Sequence, residues 1–228
     1  MTLVLAAHGT RDPAGATVAH EIAEQVRVRL RGVAVLVAFA DVRAPDVGTV
    51  LGRLAGPAVV VPAFLASGYH VRVDIPAQVG GRALITAPLG PAPGLVAAAH
   101  DRLISAGWRP GDTLVLAAAG SSDPRALADV RRAAVLLGAR TGSHVRIGYV
   151  TTTAPRVGDL VGQLPGRVAV ASWLLAPGLF HRAVAGCGAG VVAEPIGAHP
   201  RVAELIARRY VEALCCRSPG IIEHATNL

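Results

Sequence analysis

Short, continuous apolar segments alternate with amphipathic segments along the first half of the chain. The apolar segments have the length of strands and cover residues 2–8, 33–39, 58–64 and 83–86. Apolar residues recur every four positions over residues 18–30 and predict a helix there, and further helices are predicted over 46–54 and 95–106. Continuous apolar strands that alternate with helices are typical of a parallel sheet covered on both faces. The pattern therefore predicts the α/β fold class.

The second half of the chain repeats the first. Four segments of the first half (2–13, 39–45, 64–68 and 88–90) match segments 113–124, 149–155, 174–178 and 195–197 in the same order. Four matched landmarks in one order predict two homologous α/β halves. The segment 107–112 has the composition of a linker, so we expect an N-terminal domain over 1–107 and a C-terminal domain over 108–228.

Three polar residues distinguish the first half from its repeat. They are His8, Asp41 and His70, which the second half replaces with Ala119, Thr151 and Phe180. Each of the three follows a predicted strand, and parallel α/β sheets bind ligands beyond the carboxyl ends of their strands. Two imidazoles and a carboxylate can hold a divalent ion while leaving coordination positions open. This comparison places the chemistry in the N-terminal half.

Composition narrows the class of partner. The 228 residues carry a formal net charge of +7, and every basic side chain is an arginine. This charge favours anionic partners. Scattered arginines and only 4% aromatic residues argue against nucleic acid, whereas a small polycarboxylate or phosphate fits the guanidinium group.

The chain is also expected to be cytoplasmic and without a membrane partner. Its apolar runs are shorter than the roughly 20 residues of a membrane span. The apolar N-terminus follows no basic leader and is interpreted as a strand. The three cysteines, Cys187, Cys215 and Cys216, are expected to be free thiols, because they form no disulfide framework. A metal site made by Cys215, Cys216 and His224 matches no standard spacing and is not predicted.

Three segments resemble the sirohydrochlorin chelatase family. They are residues 8–13 (HGTRDP), 39–45 (FADVRAP) and 68–76 (GYHVRVDIP). This family belongs to the class II tetrapyrrole chelatases, which need no ATP, and the two-halved length resembles its long single-chain form. The resemblance implies two homologous flavodoxin-like, chelatase-like domains with the active site in the cleft between them. It also implies insertion of Fe²⁺ or Co²⁺ into sirohydrochlorin, for sirohaem or cobalamin, with no organic cofactor.

The resemblance assigns roles to individual residues. His8 and His70 would bind the incoming metal, and His8 would also accept a pyrrole proton. Asp41 stands where the family usually has a glutamate that is one methylene longer. The segment Leu65, Ala66, Ser67, Gly68 and Tyr69 would lie along the macrocycle, and Arg11, Arg43 and Arg72 are candidate partners for its carboxylates. The chain has no iron–sulfur cysteine motif, so no cluster is expected.

Other polar residues have simpler interpretations. Asp12 and Asp123 precede prolines in both halves and are predicted to be turn or cap residues. Asp74, before Ile75 and Pro76, is predicted to be a helix N-cap. His181 lies one position beyond the repeat equivalent of His70. It could face the cleft from the second half, but a surface histidine is expected.

Two other functions compete with a chelatase. The first is a non-catalytic carrier of metal or tetrapyrrole on the same scaffold. The second is a flavodoxin-like nucleotide or phosphate binder, which is disfavoured because Gly9 stands alone and no glycine-rich phosphate loop follows the first strand. One chain that holds both halves is expected to be a monomer or a weak dimer.

Overall fold

The structure, a computed structural model, describes residues 1–215 and contains two four-stranded parallel sheets. The first sheet is formed by β1 (Thr2–Ala7), β2 (Val35–Phe39), β3 (Ala58–Pro62) and β4 (Leu84–Ile85), in the order β2-β1-β3-β4. The second is formed by β5 (Thr113–Ala118), β6 (Val145–Tyr149), β7 (Val168–Trp173) and β8 (Val191–Val192), in the order β6-β5-β7-β8. The two orders are the same, which confirms the predicted fold of two homologous α/β halves.

Helices connect the strands. They are α1 (Pro13–Arg29), α2 (Val47–Gly52), α3 (Ile75–Val79), α4 (Pro93–Ser105), α5 (Pro124–Thr141), α6 (Val157–Gln163), α7 (Leu179–Ala185) and α8 (Pro200–Cys215). The side chains of Asp12 and Asp123 accept hydrogen bonds from Ala14 N and Arg125 N, so both aspartates are the N-caps that the sequence predicts. A wide π-helical turn over His70–Asp74 precedes α3.

The repeat extends to backbone detail at the end of the first strand of each half. Gly9 and Gly120 have positive φ values of 90° and 94°. A Cβ atom on these glycines would lie 2.1 Å from the Asp41 carbonyl oxygen and 2.0 Å from that of Thr151. Both halves therefore need glycine here, because only glycine lets the loops after the first two strands approach this closely.

The two halves exchange their last helices. Helix α4 packs against α5 and β7 of the second half, and α8 packs against α1 and β3 of the first. Helices α4 and α8 also contact each other. The contacts of α4 with α5 and β7 correspond to those of α8 with α1 and β3. The same contacts therefore occur twice, as in the isologous interface of a twofold dimer. One continuous core that includes Leu5, Ile22, Leu103, Leu116 and Ile206 runs through both halves.

The sequence predicts no membrane-spanning segment. Among residues 1–215, no helix is both long and apolar enough to cross a membrane.

Candidate functional site

The two histidines lie side by side at the carboxyl edge of the first sheet. His8 follows β1 directly, and His70 opens the helical turn that comes after β3. Their ring centroids are 4.5 Å apart, with the ring planes at 83°. Because β1 and β3 are hydrogen-bonded neighbours, their ends bring together residues 62 positions apart in the chain.

Hydrogen bonds fix the tautomers of both rings. His8 Nδ1 lies 2.8 Å from the Gly9 carbonyl oxygen, and His70 Nδ1 lies 2.6 Å from Asp74 Oδ2. A carbonyl oxygen and a carboxylate only accept, so each Nδ1 donates its proton. In the neutral rings this leaves Nε2 with the lone pair, ready for a metal ion or a proton.

Asp74 corrects one prediction from the sequence. Its side chain makes no capping hydrogen bond, because its backbone is already helical (φ −68°, ψ −48°). The carboxylate instead accepts from His70, four residues earlier, where one helical turn brings the two side chains together. The N-cap assignment is therefore wrong, and Asp74 orients His70.

A cavity of about 920 Å³ opens in front of the two rings, between the two halves of the chain. Of the residues suggested by the sequence, His8, Arg11, Leu65, Ala66, Gly68, Tyr69 and His70 line it. The second half contributes an apolar wall that includes Trp173, Leu175, Pro177 and Phe180. The cavity suits a broad ligand, because both of its walls are largely apolar. The histidine pair at one edge suits a ligand that has a metal-binding centre.

Aromatic rings surround the histidines. The Phe64 ring centroid lies 5.8 Å from that of His8 and 6.2 Å from that of His70. The Tyr69 ring meets His70 edge-on at 6.2 Å and is well exposed. Both rings line the cavity, so the histidine pair has an aromatic edge beside it.

Four of the suggested polar residues contact protein rather than line the cavity. Asp41 Oδ1 accepts a hydrogen bond from Val42 N at 2.7 Å. Arg43 Nη1 donates to the Thr10 carbonyl oxygen at 2.8 Å. The remaining two contact the second half, with Ser67 N donating to Asp129 Oδ2 at 2.8 Å and Arg72 Nη1 lying 3.3 Å from Asp123 Oδ2.

His181 is not the surface residue that the sequence suggested. Its side chain is only 13% exposed and lines the cavity from the second half. Nε2 of His181 lies 3.8 Å from Glu194 Oε2. This is the alternative that its place beside the repeat equivalent of His70 left open, and α7, which begins at Leu179, turns the side chain inward.

The described residues offer the metal few ligands. Over residues 1–215, no cluster of three or more histidine, cysteine or acidic side chains could hold a metal ion. His8 and His70 could supply two imidazole ligands to a metal ion and would leave its other coordination positions open. Cys187 is a buried free thiol and Cys215 an exposed one, while Cys216 and His224 lie outside the described residues.

Fold and site together define a two-halved α/β protein with paired histidines on one wall of a central cleft. A family model described as CbiX matches residues 2–106 and, a second time, residues 113–213. The chain therefore belongs to the CbiX family. The comparison with curated proteins gave no match.

Solved structures with the same fold cover nearly the whole chain. SirB from Bacillus subtilis with Fe³⁺ is 22% identical, with a TM-score of 0.79 over 92% of this chain and 94% of that one. The sirohydrochlorin chelatase SirB from Bacillus subtilis subspecies spizizenii in complex with cobalt has the same identity and coverage, with a TM-score of 0.77. CbiX, the terminal enzyme of siroheme biosynthesis in denitrifying bacteria, is 26% identical, with a TM-score of 0.72 over 93% of this chain and 99% of that one.

Proposed function

We propose that this protein is a sirohydrochlorin chelatase, which inserts Fe²⁺ or Co²⁺ into sirohydrochlorin without ATP. The observation that carries the proposal is the His8–His70 pair, with ring centroids 4.5 Å apart on one wall of a cavity of about 920 Å³. Membership of the CbiX family supports it, as do the relatives that hold iron or cobalt or act in siroheme biosynthesis.

In this proposal the histidines deliver the metal. Nε2 of His8 and Nε2 of His70 bind the divalent ion and displace part of its water shell. With only two protein ligands, the ion keeps open positions that the pyrrole nitrogens can take. A closed four-ligand site would instead trap the metal.

The same histidines support proton removal. Insertion releases two pyrrole protons for each divalent ion, so the macrocycle dianion replaces the water and imidazole ligands. His8 Nε2 accepts one of these protons once the metal has left it, because a neutral imidazole is a base near neutral pH, and the other proton passes to solvent water. Asp74 holds the His70 ring in position and stabilises it when it carries positive charge.

The cavity walls position the macrocycle. The segment from Leu65 to Tyr69 lies along one face, and the apolar wall of the second half covers the other. Arg11 lines the cavity with an exposed side chain and is a partner for carboxylates, and the net charge of +7 raises the local concentration of a polyanionic substrate. Because both walls come from one chain, we propose that the monomer, with domains 1–107 and 108–228, is the active form. We also propose that it acts in the cytoplasm.

An anaerobic insertion assay tests the proposal. Purified protein is mixed with sirohydrochlorin and then with Fe²⁺ or Co²⁺, and the visible spectrum of the macrocycle is followed against a control without protein. We expect several turnovers per protein molecule, and the faster metal indicates the pathway. A spectral change that stops at one equivalent of protein would identify a carrier instead. No change with either metal would contradict both functions.

A further inference from the structure

Two arginine–aspartate pairs connect the halves across the cleft. Arg182 Nη1 lies 2.6 Å from Asp12 Oδ2, and Arg72 Nη1 lies 3.3 Å from Asp123 Oδ2. Each arginine comes from the helical segment after the third strand of its half, and each aspartate caps the helix after the first strand of the other half. One pair is therefore the repeat image of the other.

Arg182 is the more accessible of the two arginines to a ligand. It lines the cavity, and 64% of its side chain is exposed, whereas the Asp12 side chain is 21% exposed. The hydrogen bond from Arg182 is the main cause that lowers the pKa of Asp12 below its ordinary value of 3.8. Asp12 is thus charged at neutral pH, and the contact is an ion pair.

Asp12 has two separate tasks on its two carboxylate oxygens. Oδ1 accepts the capping hydrogen bond from Ala14 N, and Oδ2 faces Arg182. The start of α1 therefore does not depend on the ion pair. Because an exposed ion pair contributes little to stability, Arg182 can leave Asp12 without loss of the fold.

We propose that Arg182 binds a carboxylate of the tetrapyrrole substrate by exchanging Asp12 for it. This inference rests on the proposed function and adds a specificity residue from the second half of the chain. A guanidinium group binds a free carboxylate through two parallel hydrogen bonds, so the substrate replaces one charged partner with another of the same kind. Asp12 holds the arginine extended at the cavity wall and competes with ligands of lower charge.

Arg72 and Asp123 form the matching pair on the other side of the cleft. The Arg72 side chain is 43% exposed, but unlike Arg182 it does not line the cavity. A polycarboxylate bound between the walls would thus meet Arg182, while Arg72 stays paired with Asp123. A tetrapyrrole with a carboxylate beside the second-half wall satisfies Arg182, and one without it does not. Arg182 therefore favours the more carboxylated tetrapyrrole.

Two single variants separate exchange from a purely structural contact. Arg182→Ala and Asp12→Asn both remove the ion pair, and asparagine keeps the N-cap because it caps helices as well as aspartate. If the pair only ties the halves together, the two variants change substrate binding in the same direction. If Arg182 exchanges its partner, Arg182→Ala weakens binding, while Asp12→Asn frees the arginine and strengthens it.

The measurements are the KM and kcat of insertion, and the Kd of metal-free sirohydrochlorin from its absorbance. We expect Arg182→Ala to raise KM and Kd about five- to tenfold with kcat within about twofold, since a charge-assisted contact is lost. Asp12→Asn should lower both constants about two- to threefold, because the competing surface ion pair is weak. In the Arg182→Ala background, Asp12→Asn should bring no gain.

A matched control removes an arginine that also forms an exposed ion pair but lies outside the cavity. Arg201 Nε lies 3.5 Å from Asp101 Oδ2 at the start of α8, and Arg201 does not line the cavity. Arg201→Ala loses the same unit of charge and an exposed ion pair. Its KM should stay within about twofold of wild type, since only the long-range field changes.

The outcomes distinguish the two proposals. Opposite changes in Arg182→Ala and Asp12→Asn support the exchange. If KM and Kd change equally and in the same direction in both variants, or change in neither, the exchange is overturned. The chelatase function still stands in that case if the wild-type protein turns over. A wild-type protein that neither binds nor metallates sirohydrochlorin contradicts the proposed function and the exchange together.

Discussion

The two halves of this chain share a backbone plan and differ in chemistry. Both have the same strand order, the same glycine after the first strand and the same capping aspartate. Only the first half has histidines at the ends of its first and third strands. The shared glycines and aspartates serve backbone geometry, whereas the unmatched His8 and His70 face the cavity.

The turn after the third strand shows the difference most clearly. Asp74 of the first half corresponds to Val184 of the second, at an offset of 110 residues. Val184 is fully buried in the core, whereas Asp74 is partly exposed and holds His70. The second half thus uses this position for packing, while the first half uses it to orient a catalytic candidate. The paired histidines of the candidate site therefore lie on only one of two equivalent frameworks.

The largest expected effect comes from removing either histidine. His8→Ala and His70→Ala should each lower the kcat of metal insertion by about 10²- to 10⁴-fold, because each removes a proposed metal ligand and His8→Ala also removes the proposed proton acceptor. The anaerobic insertion assay measures this, with circular dichroism to check the fold. His20→Ala, an exposed histidine on α1, is the control and should behave as wild type. Activity near wild type in either variant would contradict the assigned site.

The next largest effect is a loss of stability that should be equal in both halves. Gly9→Ala and Gly120→Ala should each lower the free energy of unfolding by at least about 2 kcal/mol, since each adds a left-handed alanine and a clash with a carbonyl oxygen. Urea denaturation measures the change. Gly56→Ala is the control, because no atom lies within 4 Å of its Cβ position. If only Gly9→Ala destabilises the protein, the two loops are not equivalent.

A smaller effect is expected from the partner of His70. Asp74→Asn should lower kcat and the affinity for Co²⁺ about 10- to 100-fold, because the imidazole loses the carboxylate that orients it. Insertion kinetics and the visible absorption of bound Co²⁺ give the two values. In the His70→Ala background the same substitution should add nothing. An additive loss there would mean that Asp74 acts independently of His70.

The smallest effect should come from the second half. His181→Ala should lower the insertion rate by less than about fivefold, since its contact with Glu194 is long and partly exposed. The rate is compared with that of His8→Ala under the same conditions. A loss as large as that of His8→Ala would show that both halves take part in the chemistry.

The fold was accessible from the sequence because its signals are local and repeated. Continuous apolar runs predict buried parallel strands, and the match between residues 2–13 and 113–124 predicts two equivalent sheets. The histidines were found because they break that repeat. His8 and His70 therefore needed no three-dimensional information, only the comparison of one half with the other.

Other features depend on geometry that the sequence does not encode locally. An aspartate before a helix has the same pattern whether it caps the helix or accepts a bond from a histidine one turn earlier. The four-residue spacing of His70 and Asp74 is the signal that could have indicated the hydrogen bond between them. The inward position of His181 depends on where α7 begins, and the partner of Arg182 lies 170 residues away. Long-range pairings of this kind follow from the packing of the halves.

The exchange of α4 and α8 has a consequence for synthesis on the ribosome. The first sheet is complete once residue 85 has been made, but the helix that covers it next to α1 begins only at Pro200. The growing chain must therefore keep an apolar face of its first half exposed until α8 has emerged. Folding of the two halves is then a single late event, and a chain truncated before α8 is expected to aggregate or pair with another copy.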